Sequence, residues 1–123
     1  MENFDTLGGS ALRYLPARQV GHGSGTFAGV TMCTAEGEPL GEFAGMVVEP
    51  AVRRARFLVV ERPGKLRSRR YLLDADTPAV LDPNGHTLRV EADEDDLERF
   101  DARTIPTFSD DDLIEALFAK PAA

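Results

Sequence analysis

The alternation of apolar and polar residues predicts a series of short β-strands through the middle of the chain. Six segments show this period of two, and residues typical of turns separate them. In order they are GVTMCT, LGEFAGMVVE, VRRARFLVVE, SRRYLLD, PAVLD and HTLRVEA. Because closure of a sheet removes its unpaired edges, we predict a mainly β fold in which these six strands form a small antiparallel barrel over residues 29–108.

The same pattern predicts which side chains face the interior of that barrel. Val30 and Met32 share one face of the first strand, and Leu88 and Val90 share one face of the last. The clearest hairpin turn is DPNG, residues 82–85, because its final glycine can adopt the left-handed conformation that the turn requires. From the alternation, the residues expected in the core are Val30, Met32, Leu88 and Val90.

Outside the barrel the chain is expected to form an arm and a helix. Residues 1–28 are predicted to be an N-terminal arm, partly flexible, because Pro16 and five glycines interrupt its apolar residues. DEDDLERF is expected to form one or two helical turns. Residues 109–123 are predicted to be a C-terminal amphipathic helix and tail, with a capping box from Ser109 to Asp112.

The predicted C-terminal helix carries an apolar stripe at helical spacing. A small barrel fills its interior with its own side chains, so this stripe needs another surface to cover it. We interpret the stripe as a site that docks the helix on the outside of the barrel or on a second copy of the chain. Its residues are Leu113, Ile114, Leu117 and Phe118.

Composition narrows the class of protein only slightly. The 123 residues fit one soluble globular domain, and 42% of them are hydrophobic. No apolar run reaches the ~18 residues that a membrane-spanning helix needs, so no membrane span is expected. The single cysteine, Cys33, excludes an internal disulfide and is expected to be a small core residue. We predict a cytoplasmic location.

The distribution of charge along the chain says more about function than composition does, because it is uneven. The net charge of −7 disfavours indiscriminate binding to nucleic acid. Residues 50–70 nevertheless carry eight basic side chains and one acid, whereas residues 91–112 carry ten acids and two arginines. The basic stretch is either a set of solvated strand faces paired with acids of this chain or a neighbour, or a docking surface for an acidic protein or RNA. The candidate partner-binding residues are Arg53, Arg54, Arg56, Arg67, Arg69, Arg70 and Tyr71.

The motifs in the chain do not indicate catalysis. GHGSG, residues 21–25, lacks the G-x-S-x-G spacing of a serine nucleophile and the G-K-[ST] ending of a P-loop. We interpret it as a flexible connector, with an anion-binding nest as the alternative. His22 and His86 are interpreted as surface histidines. The acidic stretches DEDD and SDDD are interpreted as helix starts, and weak calcium binding is left open. No catalytic residue, cofactor or metal site is predicted.

The order of four segments resembles the PRC-barrel family, which includes the barrel of the photosynthetic reaction centre H subunit and that of a ribosome-maturation factor. EGEPLGEFAGMVVEP resembles the opening strand of the family, and RRARFLVVE and RSRRYLLDAD resemble the strands that follow. DEDDLERFDARTIPTF resembles the acidic stretch that closes the barrel. The resemblance implies a six-stranded barrel used for binding or assembly, without a shared catalytic constellation.

Together these observations predict a non-enzymatic binding or assembly module that acts through protein–protein contacts. The expected partner is a protein, and a homodimer is predicted, because two-fold dimers are the commonest assembly. The alternative is an RNA-associated factor in ribosome or RNA maturation that uses the arginine-rich hairpins. No small-molecule substrate is expected.

Overall fold

A computed structural model describes residues 12–23, 25–101 and 104–117. Within these residues the chain forms ten β-strands and one α-helix. The strands are β1 (Arg13–Pro16), β2 (Gly21–His22), β3 (Gly25–Thr26), β4 (Thr31–Thr34), β5 (Pro39–Glu49), β6 (Arg54–Arg62), β7 (Arg69–Asp74), β8 (Ala79–Leu81), β9 (Thr87–Val90) and β10 (Glu98–Phe100). The helix is α1 (Asp110–Leu117), and short 3-10 helices cover Ala17–Gln19, Pro50–Val52 and Glu94–Asp96.

Eight of the strands belong to one sheet, and β5 lies near its middle. The strand order is β10-β7-β6-β5-β4-β9-β8, and β1 also pairs with β5. One edge of β5 is shared, because β4 pairs with its first half and β1 with its second half. The other edge pairs with β6, which continues into β7 as an antiparallel meander. All six strands predicted from the alternation are present, as β4 to β9.

Two features of the predicted barrel need revision. The prediction of antiparallel pairing throughout is wrong, because β4 and β9 pair in parallel. Alternation does not reveal strand direction, because side chains alternate between the two faces in parallel and antiparallel strands alike. Closure is not confirmed, because no backbone pairing between the described residues joins β8 to β10. The molecule is mainly β, with a sheet that remains open.

The inner face of this sheet surrounds the larger of two apolar clusters. Side chains from β4 to β9 meet in this cluster. Val30, Met32, Leu88 and Val90 are all buried there, as the alternation predicts. Cys33 is buried as well, which confirms its expected position in the interior. The hairpin turn over residues 82–85 is also confirmed, since the amide of its last residue donates to the carbonyl of its first at 2.8 Å.

The second apolar cluster lies on the opposite face, where strand β1 covers the central strands. Leu12 and Tyr14 are buried against Val47 and Val59. The Tyr14 hydroxyl donates a hydrogen bond of 2.7 Å to the carbonyl oxygen of Ala44. From Leu12 onward, the arm predicted over residues 1–28 thus contributes a strand to the sheet and two side chains to this cluster.

Glycine at position 45 allows β1 to approach β5 closely. A Cβ atom at Gly45 would collide with the carbonyl oxygen of Leu15 and lie 2.9 Å from the Tyr14 ring. Any larger residue would therefore push the two strands apart. The sequence shows Gly45 only as a weak point in a long strand, whereas the structure shows that it is needed for the β1–β5 pairing.

The C-terminal helix is fixed to β1 through its polar side. Ser109 and Asp112 form the predicted capping box, in which the Ser109 amide donates to an Asp112 carboxylate oxygen at 2.8 Å. Asp112 is only 5% exposed, and its carboxylate accepts hydrogen bonds of 3.0 and 3.1 Å from Nε of Arg13. This ion pair joins β1, the first strand that the structure describes, to α1, which is the last element of the described chain.

The stretch DEDDLERF departs from its prediction after one turn. Residues Glu94–Asp96 form a short 3-10 helix with a capping box from Asp93, but the chain then becomes strand β10 and pairs with β7. Phe100 at the end of this strand packs in the second cluster. The burial of this aromatic ring favours the extended conformation over continued helix. Among the described residues, no helix is long and apolar enough to cross a membrane.

Candidate functional site: a basic hairpin

The candidate partner-binding residues lie at two opposite ends of strand β6 and do not form one surface. Arg53, Arg54 and Arg56 lie at its beginning. Arg67, Arg69 and Arg70 follow its end, in the loop to β7 and in β7 itself. Nine residues of extended chain separate the two ends by about 26 Å, at roughly 3.3 Å per residue.

At the beginning of β6, two of the three arginines are paired with carboxylates. Nε of Arg56 lies 3.1 Å from a carboxylate oxygen of Glu49. An Arg54 guanidinium nitrogen lies 3.9 Å from the Asp76 carboxylate. Arg53 is exposed and adopts a left-handed conformation with φ of 53°, which ends the Pro50–Val52 helix. This end therefore matches the interpretation of solvated arginines paired with acids of the same chain.

At the other end, Arg70 is held within the molecule. Its Nε atom lies 3.5 Å from Glu61, the residue opposite it on β6. Its guanidinium carbon also lies 5.3 Å from the centre of the Tyr14 ring, which is within the range of a cation–π contact. Arg70 is thus a supporting residue between the hairpin and the second apolar cluster.

Arg62 at this end is also paired, because a guanidinium nitrogen lies 3.1 Å from a Glu94 carboxylate oxygen, but the other cations have no acidic partner among the described residues. We call residues 62–70 the basic hairpin. Its Lys65, Arg67 and Arg69, together with Arg99 of the neighbouring strand β10, have no carboxylate within 4.0 Å among the described residues. Two open grooves, of about 710 and 920 Å³, run along this surface, and Arg67 and Arg69 line both of them. Tyr71 lines the second groove and is half-buried.

An exposed leucine lies among these cations. Leu66 is 99% exposed in the loop between β6 and β7, directly between Lys65 and Arg67. This residue was not singled out from the sequence. The available signal was a large apolar residue inside a predicted turn, where no neighbouring strand can cover it. Guanidinium groups around an apolar tip can bind carboxylates or phosphates while the leucine loses contact with water.

The apolar stripe of helix α1 faces solvent instead of the sheet. Leu113, Ile114 and Leu117 are 48%, 54% and 67% exposed, and Phe118 lies outside the described residues. The helix packs against the Pro50–Val52 turn, and Val52 of that turn is partly exposed as well. Packing of this stripe against the barrel is therefore not observed for the three described residues.

The GHGSG segment forms a small hairpin. Strands β2 and β3 pair across it, although Ser24 lies outside the described residues. A His22 ring nitrogen lies 3.0 Å from the Thr26 carbonyl oxygen, and the imidazole packs edge-on against Phe27. His86 is exposed. Within the described part of the chain, no group of three or more histidine, cysteine or acidic side chains is arranged to hold a metal ion.

The acidity of Tyr14 is clearly perturbed. Burial raises the pKa of its hydroxyl above 10.0, because the phenolate would lose solvation. The positive charge of Arg70 opposes this increase, and Glu61 reinforces it. Tyr14 therefore stays neutral near pH 7 and acts as a hydrogen-bond donor in the second cluster.

Comparison with known proteins does not name a relative. No family model, curated protein or solved structure matches the chain. The basic hairpin therefore has to be interpreted from its own geometry.

Proposed function

We propose that this chain is a non-enzymatic cytoplasmic module, built on a PRC-type curled sheet, that binds an acidic protein through its basic hairpin. The single observation that carries the proposal is the fully exposed Leu66 beside Lys65, Arg67 and Arg69, three cations without a carboxylate partner among the described residues. A solvent-exposed leucine on a loop has no role in the core of its own molecule. A single exposed leucine needs no explanation by itself, but together with the cations around it Leu66 offers a partner an apolar and a charged contact at the same place.

The chemistry of the hairpin supports a carboxylate-bearing partner. Unpaired arginines can form bidentate hydrogen bonds with carboxylates, and their charge accelerates the encounter with an acidic surface. Burial of Leu66 would then contribute about 1.5–3 kcal/mol of hydrophobic stabilisation. The cations select the partner, and the leucine strengthens the complex.

The distribution of the arginines favours a protein over RNA. Only part of the basic stretch is available, since Arg54, Arg56 and Arg70 are already paired. Single-stranded RNA is usually held by exposed aromatic rings that stack on its bases. The only aromatic residue of the candidate set, Tyr71, is half-buried. The net charge of −7 also repels a polyanion outside the hairpin.

Two matched triple variants test this proposal. Lys65→Gln, Arg67→Gln and Arg69→Gln remove three charges from the basic hairpin, and Arg53→Gln, Arg54→Gln and Arg56→Gln remove the same number from the other end of β6. Chemical crosslinking in cells, followed by mass spectrometry, should recover acidic protein segments linked to the hairpin. The hairpin variant should lose these crosslinks, whereas the control variant should keep them.

The same experiment distinguishes the alternative. If ultraviolet crosslinking recovers RNA from the hairpin, and the protein crosslinks disappear after nuclease treatment, the chain is an RNA-associated factor. Equal loss of crosslinks in both variants would also contradict the proposal, because net charge alone would then explain the binding.

A further inference from the structure

Helix α1 is attached to the molecule in the opposite way to an ordinary amphipathic helix. Its buried residue is Asp112, which is paired with Arg13, while its apolar stripe faces solvent. We call Val52, Leu113, Ile114 and Leu117 the helix patch. Contiguous exposed apolar residues of this kind mark an interaction site in soluble proteins. The patch therefore needs a partner that brings an apolar group.

The surroundings of the helix patch are acidic. Asp110 and Asp111 in the first turn of α1 and Glu115 in the second are all exposed, and none has a basic partner within 4.0 Å among the described residues. The patch is thus apolar with a negative border. The basic hairpin is its complement, since Leu66 is an apolar tip with a positive border.

The two surfaces cannot meet within one molecule. Helix α1 packs against the Pro50–Val52 turn, which precedes β6, whereas the basic hairpin follows the end of β6. They are therefore separated by the length of that strand, about 26 Å. Contact between them requires two molecules.

We propose that the basic hairpin of one copy docks on the helix patch of a second copy, so that molecules associate head to tail. In this arrangement Leu66 contacts the apolar stripe, and Lys65, Arg67 and Arg69 face Asp110, Asp111 and Glu115. This inference rests on the proposed function, and it identifies the acidic partner as another copy of the chain.

Charge complementarity favours a second copy over an anionic membrane. A lipid surface would attract the three cations of the hairpin but repel a molecule whose net charge is −7. A second copy also carries a net charge of −7, but it offers three acids directly beside an apolar surface, so the attraction is local to the contact and Leu66 is covered at the same time. Because the two surfaces differ, the contact is heterologous, and it leaves one free hairpin and one free patch after each addition. A hairpin tip and an eight-residue helix form a small interface, so association is weak and depends on concentration.

Two variants with one damaged surface each provide the test. The hairpin variant carries Leu66→Glu, and the helix variant carries Leu117→Lys with Asp111→Lys; all three positions are exposed, so both should fold. Analytical ultracentrifugation of the wild-type chain should show growth beyond dimers as concentration rises. Each variant alone should associate roughly tenfold less tightly or worse. An equimolar mixture should form heterodimers and nothing larger, because only one intact pair of surfaces remains.

The other outcomes are equally informative. A mixture that stays monomeric, or a hairpin variant that still forms dimers, would overturn the inference; the second result would indicate helix–helix pairing instead. A wild-type chain that stays monomeric but binds anionic vesicles through the hairpin would favour the membrane. If the wild-type chain is monomeric and the hairpin still crosslinks to other acidic proteins, the proposed function stands and only this inference fails. Raising the salt concentration from about 50 to about 500 mM should weaken the head-to-tail contact, because it screens exposed charges.

Discussion

The two ends of strand β6 differ in how much of their positive charge is unpaired. Among the described residues, only Arg53 lacks a carboxylate partner at the beginning of β6, whereas Lys65, Arg67 and Arg69 all lack one at its end. At its beginning, Glu49 and Asp76 pair with Arg56 and Arg54, and helix α1 and strand β1 lie close by. At its end, Lys65 and Arg67 lie in the loop to β7 and Arg69 is the first residue of β7, and all three are exposed. We call these the anchored end and the open end.

This difference shows that the density of basic residues along the sequence does not determine where a basic surface lies on the molecule. Strand register determines it, because register decides which arginine faces a carboxylate. Glu61 lies opposite Arg70 and pairs with it, and Glu49 lies opposite Arg54 and pairs with Arg56, two residues further along β6. Exposed pairs of this kind add about 0–1 kcal/mol to stability, but they remove positive charge from the surface. The loop of the open end lies beyond the paired strands, so its cations remain available.

The largest expected effect on stability comes from a substitution in the β1–β5 pairing, which lies next to the anchored end. Gly45→Ala should lower the free energy of unfolding by about 3 kcal/mol, because the new methyl group collides with the Leu15 backbone and the Tyr14 ring. Urea unfolding followed by circular dichroism measures this change. Gly23→Ala is the control, since no atom lies within 4 Å of a Cβ placed there. Equal stabilities of the two variants would show that β1 is not packed closely on β5.

An intermediate effect on stability is expected when an arginine is replaced by methionine at the anchored end. The same replacement at the open end should have a much smaller effect. Arg13→Met should destabilise the protein by about 2 kcal/mol, because it leaves the buried carboxylate of Asp112 without its cation. Arg67→Met at the open end should change stability by less than about 0.5 kcal/mol. Thermal unfolding of both variants tests the contrast. Similar melting temperatures would mean that the Arg13–Asp112 pair does not anchor the helix.

The smallest expected effect distinguishes the two tyrosines. Tyr14→Phe should cost about 1 kcal/mol through the lost hydrogen bond to the Ala44 carbonyl, whereas Tyr71→Phe removes a hydroxyl with no such bond among the described residues. The two variants should also respond differently to pH. The folded-state pKa of Tyr14 is raised above its unfolded value near 10, so this contribution to stability is complete below about pH 10.

As the pH rises through the folded-state pKa of Tyr14, that contribution is lost, because the folded protein resists forming a buried phenolate. Urea unfolding at about pH 9 and about pH 11 should therefore show a smaller loss of stability for Tyr14→Phe than for Tyr71→Phe. The same loss in both variants would indicate that other groups control unfolding in alkali.

Much of the sheet could be predicted from the sequence, because alternation is a local signal. The six strands and the buried positions of Met32 and Val90 follow from it directly. The parallel pairing of β4 with β9 could not be predicted, since it depends on contacts between distant parts of the chain. Strand β1 was difficult to recognise as well, because it is only four residues long and Pro16 lies within it.

The candidate site could be predicted only in part. The basic stretch was evident, but its division between two ends of a strand depends on register and on acids from elsewhere, such as Asp76. Leu66 could be recognised only once its loop was seen to lack a neighbour. The exposed stripe of α1 was misleading for a similar reason: periodicity identifies an apolar face, but it does not show which side of a helix contacts the sheet, and here Asp112 takes that position.

The parallel contact between β4 and β9 also constrains the order in which the molecule can fold. It brings Thr31 beside Thr87, with four other strands between them along the chain. Closing so long a loop loses more chain entropy than forming the β5–β6–β7 meander, so we expect the meander to form first. During refolding, amide hydrogens of β6 should become protected from exchange before those of β9. Simultaneous protection would mean that the whole sheet assembles in one step.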